Sequence, residues 1–167
     1  MSPRRLVNPS PIVRFNILAT VLFAIVAVVS AIIFDDVFRV VIVAVSLSLF
    51  AVGVSTFLLG FFGAVQLSRE REISVAQLFF LTESVAERSV KVPMLTCLAV
   101  QTCIGIAAAI ARPSTDGKTG SVLAFGVLVP MLGLGLNGLW ASRHGAFDER
   151  SAPDGERSAP NNEVDNQ

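Results

Sequence analysis

The sequence predicts an all-α polytopic membrane protein, a four-transmembrane-helix bundle with a short cytoplasmic amphipathic segment. Three observations lead there. The 167 residues are 53% apolar and only 16% charged, against about 25% charged in a typical soluble domain. The apolar residues gather into four runs, about 13–34, 37–67, 93–111 and 121–140, each long enough to cross a hydrocarbon core of about 30 Å as a helix. The runs are continuous, whereas a transmembrane barrel needs short alternating segments. Together they define one membrane domain, 13–140, between a basic lead-in at 1–12 and a polar tail at 141–167 that is expected to be disordered.

The lead-in MSPRRLVNPSPI holds three prolines and two arginines and reads as a topology signal. The first run is too long for the apolar core of a signal peptide, about 7–15 residues, and leads directly into a second run. Asn16, Thr20, Ala24, Ala27 and Ala31 recur at helical spacing and share a face. A very short hairpin at Phe34–Asp35–Asp36 makes spans one and two antiparallel neighbours. Two adjacent acids with no third ligand indicate a solvated turn rather than a metal site.

Span two carries Ala44, Ser48, Ala51 and Ser55 at steps of four, three and four. These small residues share one face, the kind that lets transmembrane helices approach closely, so they are the candidate packing stripe. The loop 68–92, SREREISVAQLFFLTESVAERSVKV, offers two capping boxes, Ser74 with Gln77 and Ser84 with Glu87. It is expected to form short helices on the membrane surface, with Leu78, Phe79 and Phe80 at the headgroup boundary or against a partner.

Pro93 suits the first turn of span three. Gln101 is the most polar side chain in any span interior; it shares a face with Gly105 and needs hydrogen-bond partners there. Cys97 and Cys103, six apart on one helix, point away from each other and cannot bridge. The turn RPSTDGKTG at 112–120 contains Gly117–Lys118–Thr119 but lacks the upstream glycine and the strand of a phosphate loop. In span four Gly126, Pro130, Gly133 and Asn137 form a stripe, and Pro130 should bend the helix. Trp140 ends the span, where interfacial indoles belong.

The end of span four, Gly133-Leu134-Gly135-Leu136-Asn137-Gly138-Leu139-Trp140 followed by Ala141-Ser142-Arg143-His144-Gly145-Ala146-Phe147, resembles the ending of small four-helix integral membrane proteins of actinobacteria. The stretch 81–92 and the Ala111-Arg112-Pro113 exit are similar as well, so the resemblance covers about residues 15–150. It implies a bacterial plasma-membrane protein and carries over no catalytic residue.

The thirteen basic and thirteen acidic residues cancel, which gives no case for nucleic acid. No catalytic, cofactor-binding or metal-ligating constellation is legible; the single histidine, His144, lies outside the spans. The expected function is therefore a structural or accessory membrane protein, not an enzyme, with the lipid bilayer and a membrane-protein partner or second copy as its contacts. A small oligomeric transporter or lipid- or solute-binding carrier is the alternative, and a membrane enzyme the third. Basic residues near span ends set topology. Ten of them, at Arg4, Arg5, Arg14, Arg69, Arg71, Arg88, Lys91, Arg143, Arg150 and Arg157, fall on one side; Arg39, Arg112 and Lys118 fall on the other. Both termini are expected in the cytoplasm.

Overall fold

The computed structural model describes residues 10–33, 35–111, 114–115, 118–119 and 121–149. Its elements in chain order are α1 (Pro11–Ile32), α2 (Asp36–Leu67), α3 (Val75–Phe80), α4 (Arg88–Ala111), the two-residue strands β1 (Ser114–Thr115) and β2 (Lys118–Thr119), a 3-10 helix (Val122–Leu128) and α5 (Pro130–His144). Four segments are long and apolar enough to cross a membrane: α1, α2, α4, and the 3-10 helix joined to α5. The protein is an all-α four-span bundle, and an even number of spans places both ends of the described chain on one side of it.

Each element starts where its sequence favours a start. Ser10 precedes Pro11 at the first position of α1, where a missing N–H is harmless. The Asp35 carboxylate accepts the Phe38 N–H at 2.9 Å and caps α2, while Asp36 pairs with Arg39 at 3.2 Å. The acids of the first turn are thus helix-starting groups. At 32 residues α2 is about 48 Å long, far longer than the hydrocarbon core, so it extends beyond it.

Two expectations about helix starts fail. Only the first capping box forms: Ser74 Oγ accepts from Gln77 N at 3.1 Å and Gln77 Oε1 from Ser74 N at 2.8 Å. Ser84 and Glu87 cap no helix of their own, because α4 begins at Arg88. The Glu87 carbonyl accepts the N–H groups of Val90 (3.0 Å) and Lys91 (2.9 Å), and Pro93 falls inside α4 rather than in its first turn. At the other side β1 and β2 pair antiparallel, Ser114 with Thr119 and Thr115 with Lys118. The expected bend at Asp116–Gly117 lies outside the described residues.

Span four is the centre of the bundle. Of its most apolar window 56% is buried, against 33%, 22% and 28% for α1, α2 and α4. Pro130 does not bend one continuous helix; the span changes type there, from a 3-10 helix to an α-helix that Pro130 opens. The main partner of α5 is α2, which runs parallel to it. A Cβ at Gly53 would lie 2.5 Å from the Leu132 nitrogen, and one at Gly60 would lie 2.6 Å from the Gly138 carbonyl carbon. Gly135 in turn sits against the Gly53 carbonyl and Thr56. The same Gly60 position lies 2.7 Å from the Leu139 nitrogen, so Gly53 on Leu132 and Gly60 on Leu139 are seven residues apart on both helices, the repeat of a left-handed crossing. Lipid provides no hydrophobic drive between helices, so their cohesion comes from this close packing.

The packing face of α2 is therefore not the expected one. Ile42, Ser46, Leu49, Gly53, Gly60 and Ala64 face inward, while Ala44, Ser48, Ala51 and Ser55 are all exposed. Both stripes carry small residues at seven-residue spacing, but only the inward one holds glycines, Gly53 and Gly60, that meet Gly135 and Gly138 of α5. On α1 the expected face is close to the observed one, with Asn16, Thr20 and Ala27 buried.

Gly60→Val should destabilise the bundle by about 1–3 kcal/mol through overpacking, while Ser48→Val should change it by less than about 0.5 kcal/mol. Reversible unfolding in mixed micelles distinguishes the two. Equal damage at both positions would show that the outward stripe is also a contact.

Candidate functional site

Two places gather polar or unusual groups: a knot inside the bundle and a folded cap on the side of the termini. The knot starts from one amide. Gln101, fully buried on α4, donates through Nε2 to Asn16 Oδ1 at 3.1 Å and to Thr20 Oγ1 at 2.7 Å on α1. Its Oε1 accepts the Gly133 N–H of α5 at 3.2 Å. Both amide hydrogens and the carbonyl are used, as a buried amide requires.

The last of these bonds follows from the change of helix type. The Val129 carbonyl accepts the Leu132 N–H at 2.8 Å, so the Gly133 N–H of the opening turn needs another acceptor. Gln101 supplies it, and a Cβ at Gly133 would lie 2.9 Å from that oxygen. Thr20 bonds back to the Asn16 carbonyl at 2.7 Å, and Asn16 Nδ2 lies 3.6 Å from the Met94 sulfur. The knot thus ties α1, α4 and α5. Gly105 and Gly126 pack against each other one level away, beside Phe23. None of these side chains titrates, so the knot can hold helices together but cannot move a proton.

The cap corrects the reading of the loop. Leu78 and Phe79 are buried within the protein, and of the three only Phe80 faces outward, 49% exposed. The Phe79 ring stacks on Phe57 of α2 with centroids 4.5 Å apart and fills the space that a Cβ at Gly138 would need, 2.6 Å away. Asn137 Nδ2 donates to the Phe79 carbonyl at 2.9 Å, satisfying an orphan acceptor at the end of α3. Its own Oδ1, like Ser46 Oγ, is buried with no partner among the described residues. Trp140 is likewise buried within the protein and stacks on His144, centroids 5.5 Å apart.

The segment after α5 closes the cap, so the folded part reaches Glu149 rather than ending near 140. Ala146 N donates to Val85 O at 3.1 Å, Glu72 N to Asp148 O at 3.0 Å, and Arg71 Nη1 to Phe147 O at 2.7 Å. Phe147 joins Leu78, Phe79, Leu81, Val85, Trp140 and Ala141 in the core. Leu81, fully buried, is held at φ 50°, a left-handed conformation that is an outlier for a bulky side chain. Leu81, Val85 and Phe147 were not picked out from sequence; the readable signal was an apolar residue, Phe147, standing alone in a polar tail.

Among the described residues no group of three or more His, Cys, Asp and Glu side chains is placed to hold a metal ion. Cys97 is buried and Cys103 exposed, and both are free thiols. Comparison of the chain with protein-family models, curated proteins and solved structures returns no match.

Gln101→Leu should destabilise the bundle by about 1–3 kcal/mol, because Asn16, Thr20 and the Gly133 N–H all lose a buried partner. A double-mutant cycle with Thr20→Val in the same unfolding assay should give a coupling of up to about 1.7 kcal/mol. A coupling near zero would mean that the knot does not join α1 to α4 in the membrane.

Proposed function

We propose that this chain is a structural or accessory integral membrane protein without catalytic chemistry of its own, acting by packing with a larger membrane complex or a second copy. The observation that carries the proposal is the closed polar knot: Gln101, the most polar group in the spans, has every hydrogen-bonding atom engaged within the bundle. A buried amide used up in this way offers nothing to a solute. The outer surfaces remain for function, and the folded cap supplies one of them. Val75 (70% exposed) and Phe80 stand on its outside, and Val75 lines a shallow groove with Phe61 of α2.

The resemblance at the end of span four supports a bacterial plasma membrane as the location. The distribution of basic residues supports cytoplasmic termini, with the cap facing the cytosol. After Cys97 and Cys103 are replaced, a cysteine at Ser114 should react with an impermeant thiol reagent in intact cells, and one at Ser84 only after permeabilisation. The reverse pattern would invert the topology.

The transporter reading keeps one observation, the seven-residue 3-10 helix joined to α5 at Pro130, since unwound turns within spans also occur at transport sites. A pull-down from native membranes decides between the two. The accessory reading expects a stoichiometric membrane partner or a stable homo-oligomer, weakened by Phe80→Ala combined with Val75→Ser. Isolation as a lone chain that supports solute flux in proteoliposomes would favour the carrier.

A further inference from the structure

At the termini side of α4 the chain leaves an open recess of about 650 Å³, lined by Glu83, Ala86, Arg88, Lys91, Val92, Leu95 and Thr96. That volume lies within the roughly 300–1,000 Å³ of small-ligand sites. Its polar rim carries two cations, Arg88 and Lys91, against one acid, Glu83, and the cations are poorly met by the protein. Among the described residues the one salt bridge is Arg39–Asp36, so neither Arg88 nor Lys91 has a carboxylate partner. The Lys91 ammonium reaches only the Glu83 carbonyl, at 3.5 Å.

The neighbouring acids are engaged elsewhere. Glu83 Oε2 accepts from Gln77 Nε2 at 2.7 Å, and Glu87 Oε2 accepts from Ser89 Oγ at 3.3 Å. The opening turn of α4 contains no acid, so the helix end adds to the positive field. Below the rim the lining turns apolar. Arg88, Val92, Leu95 and Thr96 follow one helix face, Val92 is 58% exposed, and the strip continues to Val100.

We infer that this recess binds an anionic glycerophospholipid of the adjacent leaflet, its phosphate between Arg88 and Lys91 and an acyl chain along Val92, Leu95 and Val100.

 The strip of Val92, Leu95 and Val100 favours a lipid over free phosphate, which would use only the rim. The site does not depend on the accessory reading, because a carrier could hold the same lipid.

The test uses the full chain in a mild detergent, with native mass spectrometry at equal concentrations of phosphatidylglycerol and phosphatidylcholine. The wild-type chain should retain phosphatidylglycerol at least threefold more, and Arg88→Gln with Lys91→Gln should bring that ratio to about one. Arg69→Gln with Arg143→Gln, which removes two exposed cations outside the recess, should leave the ratio unchanged. The conservative pair Arg88→Lys with Lys91→Arg should retain most of it. If the double glutamine variant does not fold, Arg88→Gln alone must still lower the ratio at least by half. Equal retention of the two lipids by the wild-type chain would overturn the assignment. So would an equal loss in the Arg69/Arg143 control, which would indicate general surface charge, or displacement of the lipid by millimolar sn-glycerol 3-phosphate, which would indicate a phosphate site.

Discussion

The constraint on which the bundle rests is that a backbone group inside a bilayer must find its partner within the protein. Span four breaks the regular ladder, passing from a 3-10 helix into an α-helix at Pro130. A break of this kind leaves an N–H without its usual acceptor, and Gln101 of α4 takes it up at Gly133. The same amide reaches Asn16 and Thr20 with its two hydrogens. One side chain therefore repairs the central helix and fixes the positions of two others around it. An apolar residue at 101 could pack in the same space but could not close the ladder.

With span four held in this way, its glycines set how near the remaining helices come. Gly53 and Gly60 bring the α2 backbone onto Leu132 and Gly138, and Gly138 leaves the room that the Phe79 ring occupies. The fold of the cap thus follows from packing inside the membrane. Phe79 can enter only because Gly138 has no side chain, and the Phe79 carbonyl is met by Asn137 from the same helix. Leu81 then takes a strained left-handed turn, a cost of order 1–3 kcal/mol that burial of its side chain offsets. The strand-like contact of residues 71–72 with 148–149 closes the cap.

The membrane class and the four spans were legible because continuous apolar length is a one-dimensional property. So was the buried need of Gln101, since an amide in hydrocarbon must be paired wherever it lies. The inward face of α2 was not. It carries two small-residue stripes, and choosing between them requires knowing that Gly53 and Gly60 meet Gly135 and Gly138, far along the chain on α5. The aromatics of the cap were misplaced for a related reason. Leu78, Phe79 and Phe80 look alike in sequence, and whether each turns outward or inward depends on Gly138 and Phe57. Trp140 has the composition of an interfacial anchor, but α5 runs on to His144 and the cap covers the indole.

What the bundle spends internally also shows what it leaves outside. The amide, hydroxyl and glycine positions that join α1, α4 and α5 are used within the chain, and α2 contributes its glycines to the same centre. Ala44, Ser48, Ala51 and Ser55 take no part in this and form a smooth outer face on the most peripheral span. Ser55 returns its hydroxyl to the Ala51 carbonyl at 2.9 Å, so that face can meet lipid without an unpaired group at that position. The cap differs, because Val75 and Phe80 are exposed on a surface that is otherwise polar. Apolar side chains in a lipid-facing span are in their preferred solvent, whereas the same side chains beyond the hydrocarbon are not. The physical asymmetry of the molecule therefore directs attention to the cap and the adjoining end of α4 as the places where contact with another molecule would change its free energy most.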